Sequence, residues 1–334
     1  MSTTPIIALT MGDPAGIGPE IIVKAFQDEA LPLQSRALVI GDARLLQETA
    51  KKYSPEILIH PIKKPEEGWY QTSTIDVIDL KNVPKNFPLG KPSAEAGQAS
   101  YEAIKAAVDL AICDKVSAIT TAPINKKSLH LAGHLFPGHT ELLAHMTGSK
   151  KVALMMAGKN LRVVLVTTHV PLGQIQPLIN EENVLNTIRL THEWLFKNVT
   201  DTPNIAVTGL NPHCGDEGIF GKEETQHILP ALKKAQAEGI QAIGPFSADA
   251  LFSRLDSKKY DAIVCMYHDQ GMIPVKIDSA GQGVNITLGL SILRTSVDHG
   301  TAFDIAGKGK ACPENLKIAL RTATRLSQPI LSLK

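Results

Sequence analysis

Short apolar runs rich in β-branched residues recur along the chain and alternate with longer segments of helical period. The runs at 6–10, 37–40, 57–59, 116–120, 152–156, 162–167, 204–208 and 262–266 read as strands. The segments at 19–27, 94–113, 181–196, 223–238 and 313–326 read as helices. Strands alternating with helices of ten or more residues predict βαβ units and mostly parallel sheets. Residues 60–92 hold five prolines and read as irregular or edge structure. No internal repeat or low-complexity tract interrupts the pattern.

With 334 residues the chain has room for about two domains. The expected division is 1–130 plus 285–334 for a discontinuous first α/β domain, and 131–284 for a second that carries the site. The expected fold class is α/β, with two α/β/α domains around a cleft.

Charge changes the picture by exclusion. Lys plus Arg is 34 against 33 Asp plus Glu, and aromatic residues make up 4%. That balance lacks the basic excess and stacking aromatics of a nucleic-acid binder. No apolar run nears the roughly 18 residues of a membrane span, and the N-terminus lacks a signal-peptide pattern. Cys113, Cys214, Cys265 and Cys312 form no C-x-x-C pair. Free thiols and the missing targeting pattern point to the cytoplasm.

Three expected strands run into histidine: RVVLVTTH at His169, NIAVTGLNPH at His213 and AIVCMYH at His268. In open α/β sheets ligands bind beyond the carboxyl ends of strands. Neutral imidazole is the commonest metal ligand, and three protein ligands with an open position describe a catalytic metal site. The bland alternative is that each is an ordinary loop histidine. Cys214 and Cys265 lie nearby and rank lower as ligands.

The glycine-rich loops are less specific. MGDPAGIGPE follows the first strand, but Gly12, Gly16 and Gly18 do not match the G-x-G-x-x-G dinucleotide fingerprint. It serves equally as an anion-binding helix start or a tight turn. In FPGHTELLAH, His139 and Thr140 open a helix and suit an anion or carboxylate, though Thr140 also suits a plain N-cap. Between 276 and 311, Lys276, Asn285, Arg294, Asp298, His299 and Asp304 stand among glycines in what reads as a polar loop. Its two cations suit a phosphate clamp.

The motifs MGDPAGIGPE, PGHTELLA, TTHVPL, GLNPHCGDEG, YHDQGMIPVK and GVNITLGLSILRTSVDHGTAFDIAGKGKA together resemble the 4-hydroxythreonine-4-phosphate dehydrogenase family of pyridoxal phosphate biosynthesis. DHGTAFDIAGKGKA also resembles the nucleotide-binding loop of isopropylmalate dehydrogenases. The resemblance implies an isopropylmalate-dehydrogenase-like fold and a nicotinamide cofactor, NAD or NADP, held without the Rossmann fingerprint. It implies a divalent metal (zinc, magnesium or cobalt) on His169, His213 and His268. It implies substrate contacts at His139, Thr140, Lys276, Asn285 and Arg294. Gly289, Asp298, His299, Gly300 and Asp304 are the implied cofactor contacts, and Asp249 and Asp269 lesser candidates for proton handling or ligand support. The substrate implied is a small phosphorylated hydroxy amino acid, 4-phosphooxy-L-threonine, oxidised at C3 and decarboxylated to 3-amino-2-oxopropyl phosphate. The resemblance further implies a homodimer with a shared active site. Asp13, Ala122 and Ser291 depart from the commonest family pattern, and some such variants occur in a sister group acting on 4-phospho-D-threonate or 4-phospho-D-erythronate. A phosphate acyltransferase of similar architecture is the more distant alternative.

Overall fold

A computed structural model describes residues 4–31, 35–254 and 259–328. Its contacts divide the chain into two units, 1–149 with 290–334 and 150–289. The sequence-based bounds at 130 and 285 fall short of these. Residues 131–149 belong with the first unit because Leu142 and Leu143 are buried in its core.

The first unit carries a parallel sheet in the order β3-β4-β2-β1-β5-β12. Its strands are β1 (Ile6–Thr10), β2 (Arg36–Gly41), β3 (Leu58–Ile62), β4 (Thr74–Asp79), β5 (Ala118–Thr121) and β12 (Arg294–Ser296). Side chains alternate across the sheet. Ile7 and Leu9 join one core with α1 (Gly18–Ala25), α2 (Ala43–Tyr53) and the C-terminal helix α10 (Glu314–Leu326). Ala8 joins the other, with α3 (Ala94–Ile112) and α5 (His139–Thr147). Asp42 and Ser93 start α2 and α3 by accepting from Leu45 N and Ala96 N. The short α4 (Lys126–Leu131) lies so close to α3 that a Cβ on Gly97 would come within 1.9 Å of the Ser128 carbonyl oxygen.

Two sequence expectations need correction here. Residues 60–92 are not wholly irregular or edge structure: TIDVID forms β4, an interior strand between β3 and β2. Its Ile75 and Val77 are fully buried, and the prolines lie outside it. Nor are residues 276–311 one polar loop. Lys276 lies in a helix, Asn285 in β11 and Arg294 in β12. The alternation in VNITL and the burial of RTS win over the glycines around them.

The second unit's strands lie in the order β11-β6-β7-β10-β8-β9. Its strands are β6 (Ala153–Ala157), β7 (Arg162–Leu165), β8 (Asn204–Thr208), β9 (Gln241–Phe246), β10 (Ala262–Cys265) and β11 (Val284–Leu288). β6 is antiparallel to both neighbours, whereas β7, β10, β8 and β9 are parallel. Helix α6 (Glu181–Asn198), capped by Asn180, packs on β7, β8, β10 and β11. Helix α9 (His268–Ser279) packs on β6, β7 and β10. Between α6 and α9 in sequence lie α7 (Leu229–Ala237) and α8 (Ala248–Ser253). Among the described residues no helix is long and apolar enough to cross a membrane.

Candidate functional site

Sheet order gathers the histidines. β7, β10 and β8 are parallel neighbours, so their carboxyl ends lie along one edge. His169 follows β7 by four residues, His268 follows β10 by three and His213 follows β8 by five. None is in a strand: His268 begins α9, and His213 lies in a tight turned segment, Pro212–Gly218. That segment is unusual, because His213, Cys214, Gly215, Asp216 and Glu217 all have φ between 44° and 81°. Left-handed backbone costs a non-glycine residue energy and concentrates at functional sites.

His169 and His268 face each other with ring centroids 5.6 Å apart. Two imidazoles on one tetrahedral ion, each with a metal–nitrogen bond of about 2 Å, stand about 5 Å apart by the same measure. The Nδ1 of His268 donates to Asp269 Oδ1 at 2.6 Å, which leaves Nε2 as the nitrogen with a lone pair. A carboxylate behind an imidazole in this way orients a metal ligand and raises its basicity. His169 and His268 line a cavity of about 220 Å³ with Tyr267 and Asp269. His213 lines its neighbour of about 560 Å³, which shares Tyr267 and Asp269. Among the described residues no three His, Cys, Asp or Glu side chains gather closely enough to hold one ion. The centroid spacing of His169 and His268 is compatible with two donors to one divalent ion, and His213 lines the neighbouring cavity.

The lesser candidates sit around this edge. Asp249 lines the His213 cavity and accepts from Ser247 Oγ at 2.5 Å. That hydrogen bond is the main reason its carboxyl lies below the usual range, and His213 contributes. Cys265 is buried among apolar side chains, and desolvation pushes its thiol far up, which suits a core residue better than a ligand. Burial likewise raises the Cys214 thiol.

The expected substrate contacts divide between the units. His139, Thr140 and Arg294 lie in the first, Lys276 and Asn285 in the second. Arg294 is 2% exposed, and its guanidinium donates to Thr121 Oγ1 from Nη2 at 2.7 Å and from Nε at 3.2 Å. Burial works against its charge, while Glu141 supports it. Burial, and then Arg294, hold the His139 imidazole well below its ordinary 6.5, so it is neutral. Its Nε2 is buried without a hydrogen-bond partner. A guanidinium, a neutral imidazole and the start of α5 together suit an oxyanion. Gly138 rather than Thr140 occupies the N-cap of α5, so Thr140 is not needed for capping.

Of the expected cofactor contacts, Gly289 has a structural reason to be glycine: at φ 83° a Cβ would come within 2.3 Å of the Lys151 carbonyl oxygen. Asp298, His299, Gly300 and Asp304 lie on the loop after β12. The amide of Asp298 donates to Asn315 Oδ1, and farther along this loop Lys24 and Glu20 of α1 hold Gly309 and Ala311.

Sequence reasoning misses several residues at this edge. Tyr267 borders three cavities, and its signal is only that it precedes His268. Asn211, Glu223 and Glu224 shape the His213 segment; Asn211 stands within the GLNPHCGDEG run, and the two glutamates open what reads as an ordinary helix.

Residues 34–323 match the family described as pyridoxal phosphate biosynthetic protein PdxA. The chain belongs to this family. It is 46% identical to a D-threonate 4-phosphate dehydrogenase of Cupriavidus necator, covering 97% of both chains. It is 47% identical to a 4-hydroxythreonine-4-phosphate dehydrogenase of Desulforapulum autotrophicum, covering 96% of this chain and 94% of that one. A crystal structure of 4-hydroxythreonine-4-phosphate dehydrogenase from Klebsiella pneumoniae is 41% identical, with a TM-score of 0.91 over 98% of this chain and 99% of that one. This PdxA-family chain is an oxidoreductase of the dehydrogenase type.

Proposed function

We propose that this PdxA-family enzyme oxidises the C3 hydroxyl of 4-phosphooxy-L-threonine with NAD or NADP and releases the carboxyl group as CO2, leaving 3-amino-2-oxopropyl phosphate. The observation that carries this proposal is the facing pair His169 and His268, backed by Asp269, at the edge reached by His213. His169 and His268 would hold a divalent ion, with His213 joining as the third donor through a shift of its segment, and imidazole donors favour zinc or cobalt over magnesium. When bound, such an ion supplies Lewis-acid character that acidifies a hydroxyl and makes a carbonyl an electron sink.

The protein's own groups bind and orient. Arg294 supplies a two-pronged donor for the phosphate or carboxylate, and His139 a neutral imidazole beside it. Thr140 at the start of α5, Lys276 and Asn285 complete the substrate contacts. Asp269 keeps the proton on Nδ1 of His268. Gly289, Asp298, His299, Gly300 and Asp304 are assigned to the nicotinamide cofactor, and Asp249 to proton handling near His213. The working form is a homodimer whose partner contributes to the site, and the exposed Leu172, Ile219, Phe220 and Ile277 of the second unit offer apolar surface for it. The cytoplasm is the expected location, in keeping with the free thiols.

A second reading, oxidation of 4-phospho-D-threonate or 4-phospho-D-erythronate, is favoured by Asp13, Ala122 and Ser291 and by the similarity to the Cupriavidus enzyme. One assay separates them. Purified enzyme with zinc or cobalt, NAD or NADP, and each substrate in turn is followed by nicotinamide reduction and CO2 release. The 4-phosphooxy-L-threonine assignment requires the highest kcat/KM on that compound. Higher kcat/KM on a phospho-sugar acid selects the second reading, and no reduction with any of them removes both.

A further inference from the structure

Two adjacent carboxylates, Glu223 and Glu224, are 9% and 2% exposed and have no part in the chemistry above. They stand at the start of a single π-helical turn, Glu224–Ile228, that leads into α7. Such turns are rare and often accompany functional sites. The Glu224 carboxylate fills the hollow of the His213 segment. Its Oε1 accepts from Leu210 N at 2.8 Å and Asn211 N at 2.7 Å, and its Oε2 accepts from Asn211 Nδ2 at 3.0 Å. The fit is tight: a Cβ on Gly215 would come within 2.8 Å of Oε2, and one on Gly209 within 3.0 Å of Oε1.

Glu223 reaches both ways. Its Oε2 accepts from Asn211 Nδ2 at 2.7 Å, and its Oε1 accepts from Gln176 Nε2 at 2.5 Å. Gln176 lies on the turned segment that follows His169, so Glu223 is a two-bond bridge between the loop after β7 and the loop after β8. The bridge borders a cavity of about 360 Å³ that also contains Tyr267. The five left-handed residues of the His213 segment need such over-determination to persist.

We infer that Glu223 and Glu224 are positioning residues: Glu224 holds the shape of the segment that presents His213, and Glu223 sets its distance from the loop that presents His169. This rests on the assignment of those histidines to a divalent ion. Residues that orient metal ligands change metal affinity by about 10- to 100-fold when removed.

The test titrates the chelator-treated full chain with Co2+, reading the ligand-field absorption, and records Tm alongside. Gln176→Ala alters an exposed side chain. It is expected to leave Tm unchanged and weaken Co2+ binding about tenfold, the lower bound for such residues. Glu223→Ala removes the acceptor of both Gln176 and Asn211 and is expected to weaken binding further. The exchange Glu223→Gln with Gln176→Glu keeps a donor–acceptor pair on both sides and is expected to bind Co2+ more tightly than Gln176→Ala or Glu223→Ala. A folded Gln176→Ala protein that binds Co2+ as tightly as the unaltered chain overturns the inference whatever the other two do. So does an exchange protein that binds Co2+ no more tightly than Gln176→Ala. An unaltered chain that binds no Co2+ removes the metal assignment itself, and this inference with it.

Discussion

Burial decides what Arg294 and His139 do. A guanidinium 2% exposed has lost its water and is held against Thr121. Arg294→Ala should raise KM for the phosphorylated substrate by roughly 10- to 100-fold, the worth of a charged hydrogen-bonded contact. Arg294→Lys should recover little, because an ammonium does not reproduce the fork. An unchanged KM in the alanine variant would make Arg294 a bystander. His139 adds a pH signature. Its folded pKa lies below its unfolded value near 6.5, so as pH falls through about 6.5 the unfolded chain takes a proton that the folded chain refuses. Stability from this group is present above that pH and declines below it, by at most about 1.4 kcal/mol per pH unit. Denaturant unfolding between pH 5 and 8 should show a shallower acid-side decline in His139→Gln than in the unaltered protein.

Among the elements, α1 has a role beyond covering the sheet. Lys24 Nζ donates to Glu20 Oε1 at 2.7 Å and to the carbonyls of Gly309 and Ala311 at 2.8 and 2.9 Å. Glu20 accepts in turn from the amides of Gly309 and Ala311. Glu20 is 3% and Lys24 17% exposed at the side chain, so breaking the pair strands a charge. Lys24→Met should cost about 3 kcal/mol, and Lys24→Met with Glu20→Gln less than that, in chemical denaturation. Both should raise KM for the nicotinamide cofactor if the loop from Asp298 to Ala311 holds it.

What the sequence shows plainly follows from local physics. β1 and β8 stand at the positions their apolar runs predict, because those runs are buried on both faces. The helices expected over 94–113 and 313–326 stand at Ala94–Ile112 and Glu314–Leu326. The three histidines are legible as a set because each follows an apolar run, and sheet order then brings those runs side by side. β4 is hidden by the prolines around it. Burial of Arg294 is hidden because a charged residue in a glycine-rich stretch reads as surface until β12 is seen against β5. Glu223 and Glu224 are hidden because their partners lie 12 to 47 residues away.

For the molecule as a whole, the second unit is one continuous stretch, 150–289, with six strands and its own buried cluster. It is about the size of an ordinary domain. The fragment 150–289 is therefore expected to unfold cooperatively when expressed alone, seen as a single far-UV circular dichroism transition in denaturant. A broad, gradual loss of signal would show that it has no independent stability.

The first unit is built from two pieces of chain, and that sets an order in time. Its sheet lacks β12 until residues 294–296 have been made, so β5 is an open edge while 150–289 leaves the ribosome. At about 5 to 20 residues per second the delay is on the order of ten seconds. The nascent chain thus carries an unpaired strand throughout that delay, and Thr120 and Thr121 wait that long for Thr295 and Ser296. Synthesis rate and chaperone supply, more than final stability, should govern how much of this enzyme reaches its native form.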